Sequence, residues 1–188
     1  MNRSSRTQLP LLAALLFVAG CGYNTIQTLD EKVNQAQGQI QTQLQRRSDL
    51  IPNLVNTVKG ITKQEDTVFI SIANARARLG GAVQSGNVSE MAAANQQLNQ
   101  GLGRLLAIAE NYPQLQSSQN FKQLQEQLEG TENRVAVARQ DYNAAVGEYN
   151  AFIRRFPYNL TAKVFGRGTP RVYFEAAEGA KEAPKVQF

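Results

Sequence analysis

Apolar residues recur at alternating steps of three and four along most of this chain, a period that a helix can bury and a strand cannot. The longest run reads Phe121, Leu124, Leu128, Thr131, Val135, Ala138, Tyr142, Ala145, Tyr149, Phe152 and Phe156, with no step outside three or four. A helix over 119–155 would be roughly 50 Å or more long, and Pro157 ends it. Earlier stripes are Ile26, Leu29, Val33, Ala36, Ile40 and Leu44, then Ile51, Leu54, Val58, Ile61, Val68, Ile72, Ala75 and Leu79. A further stripe, Val88, Met91, Asn95, Leu98, Leu102, Leu105, Ala109 and Tyr112, stops at Pro113. Several one-sided helices on short connections cannot each stay in water. The expected fold is all-α, an antiparallel up-and-down four-helix bundle over residues 24–160.

The connections rest on local signals. Ser48 as N-cap and Pro52 in a first helical turn point to a tight reversal between the first two segments. The rival is one long helix through Pro52, since the stripe passes Arg47 without losing phase. Gly80, Gly81, Gly86 and Asn87 mark a turn, with Asn87 or Ser89 capping the next helix. Residues 161–188 read as an irregular, extended tail, punctuated by Gly166, Gly168, Pro170 and Pro184, with Arg171-Val172-Tyr173-Phe174 as its apolar-rich patch.

The N-terminus differs in kind. Arg3 and Arg6 precede an apolar run from Leu9 to Ala19, and Ala19-Gly20 are small enough for a peptidase cleft. The run is about half what a spanning helix needs. Val18-Ala19-Gly20-Cys21 resembles a lipobox, which implies a signal peptide over 1–20 and S-diacylglycerol and N-acyl groups on Cys21, with 21–23 as anchor and tether. Two or more chains make attachment long-lived, at roughly 0.8 kcal/mol per buried methylene. Gly22, where inner-membrane lipoproteins of Gram-negative bacteria carry aspartate, implies the periplasmic face of the outer membrane.

Cleavage would leave 168 of 188 residues, enough for one domain with a sizeable core, and no cysteine beyond Cys21. The chain has no histidine, which excludes Ser-His-Asp and Cys-His catalysis and imidazole zinc sites. No cofactor and no metal are expected. Net charge falls from +5 to +3 without Arg3 and Arg6, and the remaining charges are scattered, so no nucleic acid is expected either. Phosphate loops of the usual spacing are missing, and no small-molecule substrate is evident.

Strict phase puts Arg47, Glu65 and Asn95 on core-facing stripes, each costly unless paired. One reading is a ligand site with Glu110, Glu132 and Arg139 nearby on their helices. The other is a network that sets helix register, the commoner role of such residues, with Arg47 and Glu65 as partners. Tyr142-Asn143 and Tyr149-Asn150 repeat a dipeptide seven residues apart. Their rings fit a core with hydrogen-bonded hydroxyls, or an aromatic strip for cell-wall glycan. Tyr23, two residues from Cys21, suits a headgroup layer.

Gln43 to Val55, reading QLQRRSDLIPNLV, resembles the signature of the LemA family. Val58-Lys59-Gly60, Glu65, Ala75-Arg76, Ala109-Glu110-Asn111-Tyr112-Pro113, Leu128-Glu129-Gly130-Thr131-Glu132, Ala138-Arg139, both Tyr-Asn pairs, Phe156-Pro157 and Tyr173-Phe174-Glu175 follow in family order. The resemblance implies a tethered antiparallel four-helix bundle with no established catalysis, and relatives linked to membrane remodelling. Relatives usually begin with a transmembrane helix, where this chain has Cys21. The resemblance adds Asp49, Pro52, Asn53 and Arg76 to the candidate signature and polar-network residues Arg47, Glu65, Asn95, Glu110, Glu132 and Arg139. The expected function is a lipid-anchored, non-enzymatic scaffold of the cell envelope with protein partners. The alternatives are a peptidoglycan-binding module and an enzyme using Glu65, Glu110 and Glu132 as acid or base.

Overall fold

The computed structural model describes residues 4–61 and 66–175, with side chains from residue 22 onward. It is helical, and no strand occurs among the described residues. In chain order the helices are α1 (Ser4–Lys59), α2 (Asp66–Ser85), α3 (Val88–Glu110), α4 (Pro113–Ser117), α5 (Gln119–Phe152) and α6 (Tyr158–Val164). The apolar stripes are the buried faces: Ile26, Val33, Ile40, Leu44, Ile51, Leu54 and Val58 on α1, and Met91, Leu98, Leu102 and Leu105 on α3, are all buried.

Two connections differ from the sequence expectation. No reversal occurs at Ser48–Pro52; α1 runs straight through both and ends at Lys59. The compensation comes from another helix. A proline at 52 removes the N–H that would bond the carbonyl of residue 48, and Arg76 Nε of α2 donates to Ser48 O at 3.0 Å. Gly80 and Gly81 lie inside α2, and the turn is confined to Gly86, whose φ is +69°. Asn87 then caps α3, its side chain accepting from Glu90 N at 3.2 Å. Tyr112 and Pro113 break α3 from α4, with Pro113 in the first turn.

The stripe of α5 is buried at Phe121, Leu128, Thr131, Val135, Ala138, Tyr142, Ala145 and Tyr149, with Leu124 half-buried, but Phe156 at its end is 81% exposed. The helix stops at Phe152, the phase is lost, and Ile153 takes the buried place. Residues 158–164, placed partly in the tail by sequence, form α6. Its end is a Schellman motif: Gly166 has φ +70°, Arg167 N donates to Ala162 O at 2.7 Å, and Gly166 N donates to Lys163 O at 3.2 Å. Glycine suits that left-handed position because it has no Cβ to clash.

The chain divides into two compact units. One holds Met1–Ala36 and Asp141–Val172, the other Gln37–Gln140 and Tyr173–Phe188. In the second, Gln37 and Gln41 of α1 donate to the carbonyls of Gly86 and Val83 at the end of α2, at 2.8 and 3.1 Å. Among the described residues no helix is long and apolar enough to cross a membrane.

Candidate functional site

Polar side chains converge at one place in each unit. In the second unit, the guanidinium of Arg47 is buried on the α1 stripe, and burial pushes its pKa down to about 10. It stays charged at neutral pH and needs an anion. Glu132 of α5 supplies one through Oε2, while Asn99 Nδ2 of α3 donates to Glu132 Oε1 at 3.4 Å. One carboxylate therefore ties α1, α3 and α5 together, and both its oxygens are engaged. Asn95, one turn before Asn99, is buried with no partner for Oδ1 among the described residues. Arg139 lies farther along α5, its guanidinium 5.6 Å from the Phe174 ring centroid, a cation–π distance.

The other candidates stand apart. Glu65 lies outside the described residues, and Arg47 takes Glu132 where the sequence suggested Glu65. Asp49 is exposed, accepts from Gln45 Nε2 at 2.8 Å and borders an open groove of about 530 Å³ with Arg46, Glu126 and Arg134. Asn53 is exposed, its carbonyl accepting from Thr57 Oγ1 at 2.8 Å. Glu110 ends α3 in solvent, and its carbonyl accepts from Gln116 Nε2 at 3.1 Å. Pro52 and Arg76 act at the Ser48 carbonyl already described. The backbone of Cys21 is in α1, and its side chain lies outside the described residues.

The first unit holds a cluster that sequence reasoning missed. Asp30 is 4% exposed. Its two oxygens accept from Arg167 Nη1 at 2.8 Å and from Arg171 Nη2 and Nε at 2.6 and 3.1 Å. Asn34 Oδ1 accepts from Arg171 Nη2 at 3.2 Å. From α5, Asn150 pairs with the Arg171 backbone in both directions, at 2.7 and 2.9 Å. Tyr149 donates to Arg167 O at 3.0 Å and Tyr142 to Val172 O at 2.9 Å. Residues 167–172 are thus clasped to α1 and α5. Both tyrosines are only 2% exposed, so they are core residues with satisfied hydroxyls and no exposed glycan strip. Burial raises both phenols above their ordinary pKa, against the lowering pull of Arg171. Asp30 was visible in principle: it sits four residues after Ile26 and three before Val33, on the same stripe as Leu29.

Among the described residues, no three carboxylate or thiol side chains are grouped as a metal ion requires. Both clusters join a buried charge to partners on other segments of the chain. A model of the LemA family matches residues 36–188. The chain belongs to the LemA family. Both polar clusters draw on the matched region, which starts after Asp30 and Asn34. Among curated relatives, Magnetosome proteins MamQ 1 and MamQ 2 of Paramagnetospirillum magneticum are each 29% identical to this LemA protein over 199 residues, covering 93% of it and 71% of each relative. Magnetosome protein MamQ of Magnetospirillum gryphiswaldense is 25% identical over 180 residues, covering 84% of the chain and 66% of the relative.

Proposed function

We propose that this LemA protein is a non-enzymatic helical scaffold of the bacterial cell envelope, held to the membrane by lipid on Cys21 and offering an antiparallel four-helix bundle to envelope proteins. The observation that carries the reading is where the buried charge goes. Arg47 is matched by Glu132, and Asp30 by Arg167 and Arg171. Each pairing joins helices or tail, and none presents a nucleophile or base to a cleft. The relatives' names tie them to the magnetosome and name no reaction. The lipobox-like quartet and Gly22 support attachment at the periplasmic face of the outer membrane.

Two measurements test this. Cells fed an alkyne fatty acid label the wild-type protein and not Cys21→Ala; equal labelling of both overturns the lipid anchor. Crosslinking in intact cells captures envelope proteins with the wild type, and Cys21→Ala loses them. Capture that is unchanged by loss of the anchor overturns the scaffold's dependence on placement.

A further inference from the structure

The corner where α5 gives way to α6 exposes more large apolar surface than a structural turn needs. Phe156 is 81% exposed, Val164 79%, Leu160 55% and Phe165 52%. Leu160 and Val164 are one turn apart on α6, while Thr161 and Ala162 between them are buried. A run of exposed apolar side chains of this kind marks an interaction surface.

Its neighbours identify the occupant. Phe165 packs on Tyr23, ring centroids 4.6 Å apart. Tyr158 stacks on Phe152 at 4.4 Å and covers Gly22 so closely that any side chain at 22 would collide with its ring. The patch therefore abuts the first two residues after Cys21. Between residues 153 and 166 the chain carries Arg154, Arg155 and Lys163 and no carboxylate, and residues 21–29 carry no charge. Apolar side chains rimmed by cations suit the headgroup and upper acyl region of an anionic bilayer.

We propose that the α5–α6 corner, through Phe156, Leu160, Val164 and Phe165, inserts into an anionic lipid surface beside the attachment point at Cys21. The proposal rests on the membrane attachment proposed above and adds a second contact to it. A single flexible tether lets a body tumble; two contacts fix the orientation of the first unit on the membrane. The aromatic packing on Gly22 also gives that glycine a reason independent of sorting.

The chain has no tryptophan, so one introduced indole reports its own surroundings. Full-length protein carrying Phe156→Trp or Val164→Trp, purified with its anchor and reconstituted in phosphatidylglycerol-containing vesicles, is compared with Val137→Trp, a 57% exposed position on α5 in the other unit. With lipids brominated high in their acyl chains, the Phe156→Trp and Val164→Trp proteins shift their emission to the blue and lose roughly half or more of it, as expected for rings about 5–10 Å inside the interface. The Val137→Trp protein does neither. Vesicles that float with bound protein while the Phe156→Trp and Val164→Trp proteins stay unquenched overturn the lipid contact and leave the anchor standing. Failure to float overturns both. A blue shift that grows with protein concentration and ignores brominated lipid assigns the patch to a second copy of the chain and overturns the proposal.

Discussion

Arg47 and Asp30 are both buried charges, but the exposure of their partners differs, and the cost of each substitution follows the group left behind. The Arg47 side chain is 7% exposed and that of Glu132 40%. Arg47→Met leaves a carboxylate that can turn to water, and methionine fills the vacated space, so stability changes by about 1 kcal/mol or less. Glu132→Gln leaves a buried guanidinium without its anion and costs about 3 kcal/mol or more. The same logic ranks the other cluster. Asp30→Asn strands two arginines that are each at least a third exposed, and loses about 2 kcal/mol in charged hydrogen bonds. The paired change Arg167→Met and Arg171→Met strands a carboxylate that is 6% exposed and costs about 3–5 kcal/mol. Urea midpoints check both rankings; an Arg47→Met variant weaker than Glu132→Gln overturns the assignment of the partner.

The continuity of α1 depends on a side chain from α2. Arg76→Met leaves the Ser48 carbonyl unpaired in a site where that serine is 5% exposed, costing about 1–3 kcal/mol. Pro52→Ala restores the N–H that the helix would use, so Arg76→Met costs about 1 kcal/mol less in that background. A double-mutant cycle by urea denaturation measures the difference, and additive losses would show that Arg76 does not act on that carbonyl. This pair also explains what could be read from sequence. Most of the buried stripes were legible because a period of three and four is a local property, although Leu29, Val68 and Leu124 are only half-buried and Phe69 is buried beside Val68. Asn87 and Pro113 were legible because caps and helix stops act within one turn. Ser48–Pro52 was misread because the proline rule is local, and the donor that lifts its penalty stands 24 residues past Pro52. Gly80 and Gly81 were misread because glycine permits a turn without requiring one. The Arg47–Glu132 pair and the Asp30 clasp were not legible as pairs, since only tertiary packing joins α1 to α5 or to the tail. Arg171 looked like part of an apolar patch, although its guanidinium is the stronger contact.

The first unit is made from two distant parts of the chain, which the Asp30 clasp joins, and its tail is also held to α5 by phenols that must stay protonated. Arg167 and Arg171 reach Asp30 across separations of 137 and 141 residues, while Tyr142 and Tyr149 donate their hydroxyl protons to tail carbonyls. Burial raises both folded-state pKa values above 10.0, and Asp30 raises that of Tyr149 further, against Arg171 and Arg167. The sign follows from proton count. Below about pH 10 the phenols are protonated in both states and the contribution is fully present. Above it the unfolded chain loses protons that the folded chain keeps, so stability falls until pH passes the folded values. Each phenol adds up to about 1.4 kcal/mol per pH unit to that decline. Tyr142→Phe with Tyr149→Phe therefore lowers stability at pH 7 by about 1–3 kcal/mol through the two lost hydrogen bonds, yet flattens its fall above about pH 10. Urea titrations at stepped pH separate the two effects, because lysine ionisation is common to both proteins and cancels in the difference. Equal slopes for wild type and variant would mean that the phenols titrate alike in folded and unfolded chains, and the tail would then be held by the Asp30 clasp without them.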